Sequence, residues 1–251
     1  MAHPNFPGAM GLGTKTGQSV QIQLVGMVDS KVMHERLLHT CRGICGKVEH
    51  KLLHRETVYK QMAPAPGLPP PRASYELRVR LGKTASTDSE KFVQPVSMSC
   101  LGDFASFPAQ AEKYLKLDDQ RRRLQKPTLR KMVEVDVGPA YDEVLRMLGF
   151  EQDFVFIRSG QMFQTGVDGR TTILISELHK LHVQQQTPKL EMDAKGNPVD
   201  DVWLIEVITC SESEGSPGLD SAIKEHLLLA DKLQPYVTLN SPEEAKKAGW
   251  A

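Results

Sequence analysis

Apolar and polar residues alternate in several stretches of the chain, as they do in strands that bury one face. From Val20 to Val28 the even-numbered positions are mostly apolar, whereas Gln21 and Gln23 lie on the other side. The stretch 75–81 alternates in the same way. A period of two residues predicts half-buried strands in both places. By the same reasoning we expect strands at 52–60, 92–101, 129–137 and 202–210, a bulge or sheet edge at Pro95, and a short last strand at 236–239.

Two segments near the ends of the chain have the three-to-four-residue apolar spacing of amphipathic helices. The first follows Asp29 and Ser30, either of which can cap it, and its apolar stripe comprises Met33, Leu37, Cys41, Ile44 and Val48. The other runs from 219 to 233, with Asp220 as its cap and Pro235 just beyond its end. We expect each helix to pack one face on the core.

A third helix is predicted at 139–148. Pro139 suits a first helical turn, where a missing N–H costs nothing, and Gly149 suits a left-handed stop. The apolar stripe between them comprises Tyr141, Val144, Leu145 and Leu148. We expect this stripe to lie in the core, so that a charge at Leu145 would collapse the fold.

A meander of strands follows that helix. The segments 154–157 and 162–165 are predicted strands with a turn at Gly160 between them. A second turn at 167–170 leads into a strand at 171–178. The meander therefore predicts antiparallel neighbours.

Turns and irregular loops, rather than crossover helices, join most of the predicted strands, which favours antiparallel pairing. A sheet of about eight strands removes its exposed edges by closing on itself. The sequence therefore predicts an α+β fold, built on a closed antiparallel β-barrel of about eight strands with a few packed helices.

One domain accounts for most of the chain. We expect a disordered N-terminal tail at 1–18, a single barrel domain at 19–240 and a C-terminal tail at 241–251. Three polar or proline-rich insertions interrupt the domain, at 61–73, 103–127 and 183–200. The middle one contains Arg121, Arg122 and Arg123, for which a solvated face is favoured over a phosphate contact or an import signal.

Composition narrows the function classes. The 31 basic residues equal the 31 acidic residues, and aromatic residues make up 6% of the chain, so neither a DNA-binding protein nor a general RNA-binding barrel is favoured. The four cysteines do not require a disulfide framework. No signal peptide and no run of about 20 apolar residues stands out, so we expect a soluble protein of the cytosol or nucleus.

Two pairs of possible metal ligands have simpler explanations. Cys41 and Cys45 lie four apart on the first helix, and Cys41 belongs to its apolar stripe, so core packing is favoured over zinc binding. On a strand, His179 and His182 would face opposite sides and could not share an ion, whereas on a helical turn they could. No third histidine or carboxylate pair lies nearby in the sequence, so a solvated loop is favoured. We therefore assign no catalytic, cofactor-binding or metal-binding residue, and no cofactor.

Three blocks of sequence carry a resemblance to a known family, and their order and spacing make it specific. The first is LGFEQDFVFIRSGQMFQTG with ILISELHKL; the others are IQLVGMVDSKVMHERLLHTCRGICGKVE and VWLIEVITCSES…LLLADKLQPYVTL. Together they resemble subunit 18 of the Mediator complex, the coactivator that bridges transcription factors and RNA polymerase II. The resemblance covers most of residues 20–240.

The resemblance implies an antiparallel barrel with a central channel and helices packed outside. It also implies a nuclear, non-catalytic interaction subunit of the Mediator head module. Its implied partners are subunit 20, which has a related barrel, the C-terminal helix of subunit 8, and RNA polymerase II through the assembled module. Neither a membrane nor direct sequence-specific nucleic-acid binding is expected. The insertions are long for the family and put the strand register near 92–101 in doubt.

The alternative hypothesis is an enzyme, because the family's fold is similar to that of the tunnel-type RNA triphosphatases. Glu134 and Asp136 are expected to share one strand face, Arg78 and Arg80 another, and Glu206 interrupts an apolar strand. In a channel such acids could hold a divalent ion and such arginines a phosphate chain. Those enzymes need two acidic pairs, however, and the first strand here offers only Gln21 and Gln23. Amides bind a divalent cation poorly, which favours the interaction subunit.

Overall fold

The structure is a computed structural model, which describes residues 18–45, 49–62, 76–82, 94–105, 107–115, 125–138, 140–181, 202–212 and 217–247. Its strands are β1 (Gln18–Val28), β2 (Glu49–Gln61), β3 (Glu76–Gly82), β4 (Gln94–Phe104), β5 (Thr128–Val135), β6 (Phe150–Thr165), β7 (Thr171–Leu181) and β8 (Trp203–Ser211). Its α-helices are α1 (Lys31–Cys45), α2 (Tyr141–Met147), α3 (Pro217–Leu233) and α4 (Pro242–Lys247). Short 3-10 helices occur at Ala109–Leu115 and Val167–Gly169.

The eight strands form one closed barrel in the order β1-β5-β4-β3-β2-β6-β7-β8, and β8 returns to β1. Every neighbouring pair is antiparallel. The seam between the first and last strands runs from the pair Val20–Ser211 to the pair Val28–Trp203. The predicted fold class is confirmed.

The apolar face of the barrel wall points outward and is covered by helices, whereas the polar face lines the lumen. In β1, Val20, Ile22 and Leu24 are buried beneath helices, while Gln23 reaches the lumen residue Glu206. The main hydrophobic core therefore lies between the wall and its helices. Each leucine buried there contributes roughly 1.5–3 kcal/mol of stability.

Helices α1 and α3 cover one side of the wall. Leu37 and Cys41 of α1 belong to the same buried cluster as Leu229 and Leu233 of α3. The predicted α1 stripe is confirmed for Met33, Leu37, Cys41 and Ile44, whereas Val48 lies outside the described residues. Helix α3 begins at Pro217, before the predicted start, so Asp220 lies in its first turn and accepts a hydrogen bond from the Tyr114 hydroxyl at 2.8 Å.

Helix α2 packs on the opposite part of the wall through one edge only. Leu145 is 3% exposed and forms a cluster with Tyr59, Leu77 and Val79. Val144 and Leu148 were predicted to share that buried stripe, but they are exposed. The prediction is wrong at these two positions, because this two-turn helix touches the wall along a narrower face than its apolar arc. Gly149 ends the helix with a φ of 82°, as expected.

The predicted turn at Gly160 is wrong. Strand β6 runs without interruption through this glycine and pairs with β2 on one side and β7 on the other. A Cβ at Gly160 would lie 2.1 Å from the carbonyl oxygen of Ile175, so only glycine allows the neighbouring strand to approach this closely. The two short strands predicted here are one long strand.

Other boundaries differ locally. The predicted strand at 236–239 is not formed; a single bridge joins Val25 to Asn240. Part of the predicted C-terminal tail forms α4, whose Ala245 is buried. A register shift opposite Arg80 skips one residue next to Pro95, which confirms the predicted bulge.

Several predictions fall wholly or largely outside the described residues. These are the N-terminal tail, most of the proline-rich insertion, the triple arginine at 121–123, and the insertion at 183–200. Pro139 and His182 also lie outside them. Within the described ranges, no helix combines the length and apolar character needed to cross a bilayer.

His226 of α3 predicts a loss of stability in acid. Its side chain is fully buried, with Nδ1 2.9 Å from the Thr209 hydroxyl, and burial lowers its pKa to about 3. The ring is thus neutral when folded but takes up a proton below about pH 6.5 when unfolded. We expect the free energy of unfolding to fall by about 2 kcal/mol between pH 7 and pH 5 from this group alone.

Urea denaturation at both pH values measures this difference. His226→Gln is the matched control, because glutamine keeps polar atoms near Thr209 but does not titrate. A pH slope in the variant as steep as that of the original chain would contradict the assignment.

Candidate interaction surface and barrel lumen

Charged side chains inside the barrel converge on Arg158 of β6. Its Nη1 pairs with the Glu206 carboxylate of β8 and donates to the Ser176 hydroxyl of β7 at 3.0 Å. Its Nε lies 3.4 Å from Oε2 of Glu56 on β2. Arg158 is 4% exposed, and the side chains of Glu56 and Glu206 are 1% and 5% exposed. Three buried charges thus share one set of hydrogen bonds.

The same network extends to three further strands. On β3, Arg80 Nε lies 3.3 Å from Glu56 Oε1, and Arg80 Nη1 lies 3.7 Å from Glu134 Oε1 on β5. On β1, Gln23 donates to Glu206 at 3.0 Å. Six charged or amide side chains and Ser176, drawn from seven of the eight strands, are therefore connected through the lumen.

Glu56 and Arg158 keep their charges at neutral pH. Burial raises the pKa of Glu56, but His54 and the guanidinium groups of Arg158 and Arg80 outweigh burial and hold that pKa well below its usual range. Burial lowers the pKa of Arg158, and the Glu206 and Glu56 carboxylates more than reverse that effect. Opposite charges packed together in this way stabilise each other's ionised forms.

A second ion-pair group involves β3, β5 and β4. Arg78 Nε lies 2.5 Å from Glu76 Oε1, and Arg130 Nη1 lies 3.9 Å from Glu76 Oε2. Arg130 Nε also donates to the Gly102 carbonyl at 3.3 Å. The lumen is thus lined by carboxylates and guanidiniums that neutralise one another.

The five candidates for a catalytic channel lie in three different places. Arg80, Glu134 and Glu206 join the lumen network, and Arg78 lies in the neighbouring ion-pair group. Asp136 does not share their face: β5 ends at Val135, and Asp136 is exposed. The expected acidic pair is therefore wrong.

The carboxylates in the lumen are occupied by arginines rather than directed at an open site. Glu56, Glu76, Glu134 and Glu206 each lie within 4 Å of a guanidinium nitrogen. Among the described residues, no group of three or more His, Cys, Asp and Glu side chains is placed to hold a metal ion. The arrangement is chemically suited to bracing the wall.

The outer surface offers an apolar area on α2. Val144, Met147 and Leu148 are 52%, 87% and 65% exposed, which is unusual for three apolar side chains on one short helix. Met62, at the end of β2, is 41% exposed, and its N–H donates to the Gly149 carbonyl at 2.8 Å. We call these four residues the α2 patch.

A shallow groove lies elsewhere, on α1. It is lined by Val32, Glu35, Arg36, His39, Thr40 and Tyr236. Its mixture of apolar, acidic and basic side chains is typical of an ordinary protein surface.

Comparison with known proteins decides the family. The family described as Med18 protein matches residues 20–244, which include all eight strands except the first two residues of β1. The chain belongs to the Med18 family. A Drosophila melanogaster relative, Mediator of RNA polymerase II transcription subunit 18, is 23% identical over 224 residues, which cover 89% of this chain and 85% of the relative.

A solved relative has the same fold as this Med18-family chain. The structure of the Schizosaccharomyces pombe Mediator head module contains a chain that aligns with a TM-score of 0.60 at 18% identity. The alignment covers 88% of this chain and 98% of that chain. The overall fold is therefore common to both.

The remaining described candidates of the Med18-family chain, Cys41, Cys45 and His179, lie on α1 and β7. Cys41 is fully buried in the main hydrophobic cluster, where burial raises its pKa to about 12. Cys45 is half-buried, and both cysteines are free thiols. His179 Nε2 lies 3.6 Å from Glu177.

Sequence reasoning missed the centre of the lumen network. Glu56 lies within the predicted strand 52–60, on the same face as Val58. A charged residue on the face of an apolar one was the available signal for a buried ion pair. Arg158 was hidden by the turn predicted next to it. These two residues are 102 positions apart in the chain, so no local pattern links them.

Proposed function

We propose that this chain is a non-catalytic Mediator subunit that works in the nucleus by binding other subunits of the head module. Its proposed partners are subunit 20, through barrel-to-barrel contact, and the C-terminal helix of subunit 8. Contact with RNA polymerase II would follow through the assembled module. The observation that carries the proposal is the family match over residues 20–244.

The physical basis of this function is a rigid wall with an exposed apolar area. The lumen network joins strands that are distant in sequence, and the helices pack on the outside of the wall. A partner can therefore bind to a preformed surface and lose little free energy in ordering it. Partner helices commonly bind such surfaces by their apolar side.

We expect the full-length chain, co-expressed with subunits 20 and 8 of the same organism, to elute from gel filtration as a stable ternary complex. Omitting subunit 20 or subunit 8 in turn from the co-expression tests whether this chain binds each of them without the other. Elution of this chain alone, while the other two subunits are folded, would contradict the proposal.

The competing function is hydrolysis of a 5′-triphosphate, which the charged lumen favours. Against it, the lumen carboxylates lie beside arginines, and a carboxylate held in this way is a weak ligand for a divalent ion. Incubating the purified chain with triphosphorylated RNA and Mg²⁺ or Mn²⁺ distinguishes the two functions. Release of orthophosphate at turnover rates, lost in Glu134→Gln, would replace our proposal with the enzyme.

A further inference from the structure

We infer that the α2 patch is the docking site for a partner segment that carries an apolar side flanked by Lys or Arg residues. The inference rests on the proposed function and specifies which surface acts and what chemistry binds it.

Helix α2 has a much wider apolar side than the barrel covers. At 100° per residue, Leu145, Tyr141, Leu148, Val144 and Met147 occupy one continuous arc of about 160°. Only the Leu145 end of this arc packs on the wall, and Tyr141 beside it is half-buried. The exposed side of α2 thus has the apolar composition that a helix face usually has when another element or another protein covers it.

Met62 extends this apolar side beyond the helix. The hydrogen bond from its N–H to Gly149 places it at the C-terminal end of α2, next to Leu148. The α2 patch is therefore built from two elements fixed to one another. A cluster of exposed large apolar side chains on a rigid base is typical of a binding site.

The charges around the α2 patch indicate which kind of partner segment it binds. On α2, Asp142 and Glu143 accompany Arg146, whose Nη2 pairs with Asp142 at 2.6 Å. At the adjoining strand ends, Lys60 Nζ lies 3.2 Å from Asp153 Oδ1 and 3.6 Å from Glu151 Oε1. With Arg55 of β2, whose guanidinium acts electrostatically on Tyr141, four carboxylates thus face three cations, which leaves a slightly acidic rim.

An acidic rim favours a basic protein segment over other occupants. The anionic surface of a membrane would be repelled by the excess carboxylates. A partner helix with Lys or Arg beside its apolar side would bury the patch and meet opposite charges at the rim.

Binding of the full-length chain to subunit 20 and to subunit 8, measured by calorimetry, tests the inference. We expect M147S/L148S to weaken one of these two interactions at least tenfold. V32S/L228S is the matched control, because Val32 and Leu228 are 58% and 52% exposed on α1 and α3, and it is expected to change that affinity less than twofold.

The charge of the occupant is tested by two substitutions of opposite sign on the same helix. We expect Glu143→Lys to weaken the interaction and Arg146→Glu to strengthen it, with both effects shrinking as salt is raised. Weakening by M147S/L148S without either charge effect would overturn the assignment of a basic segment.

Three further results would overturn the inference. If V32S/L228S removes binding and M147S/L148S does not, partners use another surface and the proposed function stands. If M147S/L148S changes only the melting of the isolated chain, another part of this chain covers the patch. If the unsubstituted chain binds neither subunit, the proposed function fails and the inference fails with it.

Discussion

Replacing Arg158 by methionine is expected to lower the free energy of unfolding by about 3–5 kcal/mol, because it leaves Glu206 and Glu56 buried with too little opposite charge. Glu56 would keep Arg80, at 3.3 Å, but the Glu206 carboxylate would keep only the hydrogen bond from the Gln23 amide and the more distant charge of Arg78 among its described partners. Urea denaturation at pH 7.5 measures the loss.

The matched control is Glu206→Gln, made alone and together with Arg158→Met. Alone, it removes a partner of Arg158 and should destabilise the chain. In the Arg158→Met background it removes a buried charge that has lost its closest guanidinium, and it should restore part of the stability. A change of sign between the backgrounds demonstrates the coupling, whereas equal losses would contradict it.

Leu145→Asp is expected to cost at least about 4 kcal/mol, a large part of the 5–15 kcal/mol that stabilises a typical domain. The substitution removes a buried side chain from the cluster with Tyr59, Leu77 and Val79, and puts a carboxylate in its place. Either α2 leaves the wall and exposes that cluster, or the charge stays buried without a partner. Thermal unfolding followed by circular dichroism measures the effect.

Val144→Asp provides the matched control, since Val144 is adjacent on the same helix but 52% exposed. It should change stability by no more than about 0.5 kcal/mol, as surface substitutions usually do. Equal melting of the Leu145→Asp variant and the original chain would show that the orientation of α2 is wrong.

The alternation of apolar and polar residues predicted the strands and the barrel, but not which face points inward. In β1 the alternation of Ile22 and Leu24 with Gln23 was evident from the sequence. A period of two residues states only that the two faces differ. The apolar face points outward here because α1 and α3 cover it, and that depends on packing between segments far apart in sequence.

The candidate site was less predictable, for three separate physical reasons. Gly160 has the local signal of a turn, yet it lies within a strand because β7 passes too close for a Cβ. Asp136 has the correct spacing from Glu134, but β5 ends between them. The α2 stripe has helical spacing, but a helix of two turns meets a curved wall along one edge. Each outcome depends on tertiary geometry that local spacing does not encode.

The seam between β1 and β8 affects how this protein is made. A ribosome releases Glu56 and Arg158 before Glu206, and β1 has no neighbour that can close the barrel until β8 has been made. Until residue 211 has left the exit tunnel, the wall cannot close and its future interior charges stay hydrated. The nascent polypeptide therefore completes its barrel only after β8 has emerged.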